Sequence, residues 1–133
     1  MKSHGCPMPD YCNGEQVVDM HGKPVGEVRT TSASGGEKGV KPQRFGLLPG
    51  YALGVVGEHY AAGAEKYSDH NWRKGYEFSK SIDSLLRHAY AFADGEDNDP
   101  ELGTPHPAAI VFHALTLIQG MRDWPQFDDR YKP

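Results

Sequence analysis

His88, Glu96, Asp99, His106 and His113 stand within one short run of sequence, flanked on both sides by helix-forming patterns. Carboxylates and imidazoles so spaced are the donor types that hold a hard divalent cation. Such an ion commonly stands beside phosphate or activates water. The same residues also suit a solvated acidic turn between two helices, with the histidines hydrogen-bonded near a core. Upstream, Lys38, Lys41 and Arg44 lie among Gly35, Gly36 and Gly39. Glycines let backbone N–H groups approach an anion, and nearby cations complete a phosphate cradle. The segment is neither a Walker loop nor a dinucleotide fingerprint, so a plain basic linker is its alternative.

The elements that must position these groups are mainly helical. Leu48, Ala52, Val55, Val56, His59, Tyr60, Gly63 and Tyr67 recur at helical spacing, with Pro49 suited to the first turn. Glu58 and Glu65 share a face of that helix. After a break at 68–75, Ser79 or Ser81 is expected to cap a second helix carrying Ile82, Leu85, Leu86, Ala89, Phe92 and Ala93 on one stripe. Arg87 lies off that stripe, His88 lies on its flank, and Gly95 is expected to end the helix. A third helix, from about Thr104 to Met121, is apolar on nearly every side, which predicts burial in a bundle or at a subunit interface. His106 and His113 share one of its faces. The expected fold class is all-α: a small helical bundle over 35–133 with an irregular N-terminal arm over 1–34. Within the arm, Val17 to Val28 is expected to pair as one short hairpin around His21-Gly22-Lys23.

Composition sets the bounds. A chain of 133 residues is large enough for one domain core. A net charge of -4 argues against a partner that is a nucleic-acid polymer. No run approaches the ~18 apolar residues of a membrane span, and no apolar signal region opens the chain. A soluble, cytoplasmic protein with no membrane partner is therefore expected. Cys6 and Cys12 are too few for a disulfide framework. With His4 and His21 they offer zinc-type ligands, but Cys-x5-Cys is not a usual zinc spacing, so a loosely ordered arm is the expectation.

The ordered set Gly35-Gly36-x-Lys38-Gly39-x-Lys41-x-x-Arg44-x-x-Leu47-x-Pro49, Gly63-Ala64-Glu65-Lys66-Tyr67, Asn71-Trp72, Gly75, Leu86-Arg87-His88, Gly95-Glu96-x-x-Asp99-Pro100-Glu101-x-Gly103 and His106 resembles one family. This is the phage-associated dATP/dGTP diphosphohydrolase domain, related to the MazG-like all-α nucleotide pyrophosphohydrolases. The resemblance covers roughly Gly35 to Met121. It implies a metal-dependent enzyme that cleaves a purine deoxynucleoside triphosphate to monophosphate and pyrophosphate. It also implies a homo-oligomer, in a host cytoplasm if the chain is phage-encoded.

Under that resemblance Glu96, Asp99 and His88 are the expected catalytic residues. Glu65, His88, Glu96, Asp99 and His106 are the expected metal set, for Mg²⁺, or for Mn²⁺ if an imidazole ligates directly. Lys38, Lys41, Arg44, Lys66 and Arg87 are expected to grip the triphosphate. Tyr67, Asn71 and Trp72 are expected to stack on and hydrogen-bond the base, with core packing the alternative for Tyr67 and Trp72. The chain departs from the family pattern in lacking a Glu-x-x-Glu pair on its first helix, where only Glu58 and Glu65 are available. It departs again at Ala109 and His113. The rival of another class is a non-catalytic nucleotide- or partner-binding module on the same scaffold. An HD-type phosphohydrolase is disfavoured because the chain has no His-Asp dipeptide.

Overall fold

A computed structural model describes residues 12–13, 16–17, 20–21 and 28–133, and the chain divides into two units, Met1–Leu48 and Pro49–Pro133. In the first unit, β1 (Cys12–Asn13) pairs antiparallel with β2 (Gln16–Val17), and β3 (Val28–Thr31) with β4 (Glu37–Val40). The fold is therefore mostly helical rather than strictly all-α. Val17 is committed to Cys12 and Val28 to Val40, so these two do not pair across His21 as the sequence suggested. Residues 22 and 23 of that expected turn, like His4 and Cys6, lie outside the described residues. The segment read as a linker is instead the β3–β4 hairpin. Val28, Thr30, Thr31 and Val40 are β-branched, and their stiff side chains favour extended backbone. Gly35, at φ 88°, and the Ser32 N–H bond to Gly36 O at 2.8 Å close the turn.

The second unit holds α1 (Gly50–Lys66), α2 (Phe78–Ala93) and α3 (His106–Asp123), with a 3₁₀ turn at Asn71–Lys74 between α1 and α2 and another at Pro125–Phe127 after α3. α3 packs against both other helices. No helix among the described residues is long and apolar enough to cross a membrane. Neither Ser79 nor Ser81 caps α2. Glu77 stands at the cap position without a side-chain bond, and the capping oxygens come from the distant tail. Asp129 accepts from the Ser79 N–H at 2.9 Å and from its hydroxyl at 2.5 Å. A carboxylate there satisfies an orphan amide and faces the positive helix end. Ser81 is buried instead, where its hydroxyl meets Tyr76.

Two glycines are fixed by close approach. A Cβ on Gly120 would stand 2.9 Å from the Phe78 ring, and one on Gly75, already at φ 78°, would stand 2.8 Å from Trp124. The apolar core they help close is thin: Val56, Phe78, Ala108 and Ala109 are its buried members. His59, Ser81, His106 and Thr116 are buried beside them. A polar group costs free energy there unless hydrogen-bonded, so the interior of this unit must be organised around polar contacts. α3 is not buried all round. Leu115, Ile118 and Met121, at 41, 64 and 67 % exposure, form an open apolar stripe on its outer side.

Candidate functional site

The end of α2 sets the first acidic group. Gly95, at φ 100°, donates its N–H to Phe92 O, and Glu96 N–H reaches back to Ala91 O, both at 3.0 Å. This pair of bonds is the left-handed helix termination that glycine permits. The following loop folds on itself. Asp99 N–H bonds Thr104 O at 2.8 Å, Gly103 N–H bonds Asp99 O at 2.7 Å, and His106 N–H bonds Asp97 O at 2.9 Å. Asp99 Oδ1 accepts from Glu101 N–H at 3.0 Å. Glu96, Asp99, Glu101 and the start of α3 are thus held by backbone bonds rather than by loose loop.

These groups face a cleft of about 920 Å³ within the second unit, between the end of α1, the Asn71–Lys74 turn, α2 and the loop before α3. Its floor is a set of imidazoles. His106 Nε2 is 2.7 Å from Glu96 Oε1, and His106 Nδ1 is 2.8 Å from His88 Nδ1. His113 stacks on His88 with ring centroids 5.9 Å apart. His59 Nδ1 is 2.6 Å from the Thr104 hydroxyl, and its ring tilts against Phe112. Burial, which disfavours the charged ring, lowers the pKa of His59, His88 and His113 below the usual histidine value. His113 is pushed down to about 4, with the charges of His88, His59 and Arg87 adding to burial. These three rings are therefore neutral at neutral pH, and Nδ1 of His113 is buried without a hydrogen-bond partner.

The opposite wall is cationic and aromatic. Lys66, Tyr67, Asn71, Trp72 and Arg73 come from the end of α1 and the turn after it, Lys80 and Arg87 from α2. Trp72 is packed edge-on against Tyr60 and Trp124, and the Arg73 guanidinium lies 4.4 Å from its ring centre. Tyr67 is 64 % exposed. Lys66 is paired with Glu101 across the mouth, and that bond raises its pKa.

Lys66, Tyr67, Asn71, Trp72, Arg87, His88, Glu96, Asp99 and His106 all line this one cleft. Glu65 is exposed and does not line it. Lys38, Lys41 and Arg44 belong to the other unit, on β4 and just after it, and are exposed there. Sequence reasoning missed His59, Arg73, Lys80 and Glu101 as cleft residues. For His59 there was a signal, a polar residue inside an apolar helical stripe.

A divalent cation is the ligand that these donor types suit. Among the described residues no group of three or more His, Cys, Asp or Glu side chains is gathered to hold one. His106 has both ring nitrogens in hydrogen bonds, and Glu101 is paired with Lys66. These donors are engaged with one another and with Lys66. What the cleft offers is a set of imidazoles, carboxylates held in a bonded loop, and cations with mostly local contacts. A family model described as dATP/dGTP diphosphohydrolase, N-terminal, matches residues 32–130. No curated protein and no solved structure matches the chain.

Proposed function

The chain belongs to the dATP/dGTP diphosphohydrolase N-terminal family, and from that premise we propose that it hydrolyses a purine deoxynucleoside triphosphate to the monophosphate and pyrophosphate. One observation carries the reading: a single cleft is lined by four cations, Lys66, Arg73, Lys80 and Arg87, together with Asp69, Glu96, Asp99, Glu101 and the imidazoles of His59, His70, His88, His106 and His113. Cations suit the charge of a triphosphate, and Arg grips phosphate oxygens bidentately. The acidic wall repels a bare polyphosphate. The substrate is accordingly its Mg²⁺ or Mn²⁺ complex, with the cation arriving on the phosphates. Glu96 and Asp99 act at the reacting end.

Tyr67 is the stacking platform for the base: its side chain is exposed, with the Lys66 ammonium 5.0 Å from its ring centre, whereas Trp72 packs against Tyr60, Trp124 and Arg73. Trp72 braces the turn that presents Asn71 to the base edge. The open stripe on α3 is covered by a second copy of the chain, because a homo-oligomer buries such a face symmetrically.

The test is incubation with each of the eight common NTPs and dNTPs and Mg²⁺ or Mn²⁺, measuring pyrophosphate and phosphate separately. Pyrophosphate from dATP or dGTP is expected; release of single phosphate, or no turnover, defeats the proposal. A second reading, a nucleotide-binding module without turnover, draws on the ungathered metal donors. It predicts that neither product forms in this assay while a calorimetric titration shows purine nucleotide binding.

A further inference from the structure

Left-handed backbone is given to glycine at Gly35, Gly75, Gly95 and Gly103, all at positive φ. His70, at φ 62°, is the one residue with a side chain that shares this conformation among the described residues. A β-carbon makes the region costly, so a side chain kept there calls for a reason. The reason lies three residues on. Arg73 Nε can only donate, and it donates to His70 Nδ1 at 2.9 Å, while the Arg73 N–H bonds His70 O, also at 2.9 Å. The guanidinium lies 4.4 Å from the Trp72 ring centre, and Trp72 is packed edge-on against Tyr60 and Trp124. Gly75, where a Cβ would meet Trp124, closes the same turn.

The other cations of the cleft are held differently. Lys66 is paired with Glu101, Lys80 stands 3.5 Å from Glu77, and Arg87 spends Nη2 on Ser84. The terminal nitrogens of Arg73 meet no hydrogen-bond or ion-pair partner among the described residues. Asp123 is near enough for Arg73 to help lower its pKa, but its bonds go to Arg122 and Gln119. Asp69, beside His70 in the chain, lines the cleft as well. With Nε engaged and one face stacked, the N–H groups on Nη1 and Nη2 remain as an end-on fork.

We propose that Arg73 is a preset fork for a phosphoryl group, with His70 as its positioning residue. The inference rests on the pyrophosphohydrolase reading and gives the polyphosphate tail of its substrate a first point of contact. Lys66, Lys80 and Arg87 must each give up a partner to reach phosphate. Arg73 keeps Nε on His70 and its stacking on Trp72 while the fork makes two parallel N–H···O bonds, a geometry that lysine cannot supply. Holding the side chain beforehand also lowers the entropy lost on binding.

Calorimetric titration of the full chain with Mg²⁺ and inorganic tripolyphosphate tests this without turnover. A dATP analogue with an uncleavable imido group as its α,β bridge is the second ligand. Arg73→Lys keeps the charge and loses the fork, and should raise Kd for both ligands by about tenfold. His70→Gly suits the left-handed backbone and lacks the acceptor. Its melting temperature should not fall, yet Kd should rise by about fivefold, the worth of one hydrogen bond. His70→Asn places an acceptor where Nδ1 stood and tolerates the left-handed region, so its Kd should stay within about twofold of wild type. In the double variant the histidine loss should not add to the arginine loss. Wild-type affinity in Arg73→Lys overturns the fork. Wild-type affinity in His70→Gly, equal losses in His70→Gly and His70→Asn, or additive losses in the double variant overturn the positioning role. Tripolyphosphate bound as tightly as the analogue overturns a nucleotide as the source of the phosphate. A chain that binds both ligands through Arg73 but never releases pyrophosphate from dATP supports the fork and defeats the hydrolase reading.

Discussion

The two walls of the cleft are built in opposite ways. On the acidic wall, side chains are bonded to one another and to loop backbone: Glu96 to His106, His106 to His88, Asp99 to Glu101 N–H. On the cationic wall, most contacts are local. Arg87 donates to Ser84 one turn back at 2.8 Å, Lys80 stands 3.5 Å from Glu77, and Arg73 lies over its neighbour Trp72. Exposed pairs of that kind are worth ~0–1 kcal/mol, so a phosphate displaces them easily. Under the proposed function, the bonded wall would hold the reacting end in place and the loose wall would close on the phosphates. Lys66–Glu101 is the one ion pair that joins the two among the described residues.

The contrast predicts different failures on the two sides. Asp99→Asn keeps an acceptor for Glu101 N–H but removes the charge facing His88 and His59. The account expects kcat to fall about a hundredfold or more, as when a fixed electrostatic partner is lost. Stability should change by no more than ~0.5 kcal/mol, measured by denaturant melt, because the residue sits in an already closed loop. Near-normal turnover would show that the acidic wall is only scaffolding.

On the loose wall, Tyr67→Ala should raise KM by roughly tenfold and spare kcat, since a base stacked on an aromatic ring gains about 1–3 kcal/mol. A fall confined to kcat would place Tyr67 with the chemistry and erase the distinction between walls. A smaller effect is expected outside the cleft. Ile118→Glu puts a charge on the open stripe of α3 and should shift sedimentation towards the 14.7 kDa monomer, with activity reduced several-fold. Wild-type protein already monomeric at micromolar concentration would remove the second copy from the account.

The smallest effect is on stability against pH. The folded pKa of His113, about 4, lies below its ordinary value of 6.5. Between these values the unfolded chain binds the extra proton and the folded chain does not, so stability rises with pH across that window. His59 and His88 act in the same direction. His113→Asn should flatten part of the slope in urea melts taken from pH 4 to 7; an unchanged slope would mean that His113 is not the buried neutral ring described here.

How much of this was legible depended on how far each determinant reaches along the chain. Helical spacing located all three helices, and the tripeptide Leu86-Arg87-His88 with Gly95-Glu96 pointed to one corner of the site. Contacts across long separations were hidden. Asp129 caps α2 from fifty residues away, and Thr104 meets His59 across forty-five, with no local pattern announcing either. The β3–β4 hairpin was masked by glycine and serine, although its valines and threonines carried the extended preference. The outer stripe of α3 looked like core because periodicity reports which residues are apolar, not what covers them.

The central claim is that water attacks the α-phosphorus in this cleft. Turnover of dATP with Mg²⁺ in H₂¹⁸O, followed by mass analysis of both products, tests it most directly. The account predicts one ¹⁸O in the monophosphate and none in the pyrophosphate. Label in the pyrophosphate, or in released single phosphate, would contradict it.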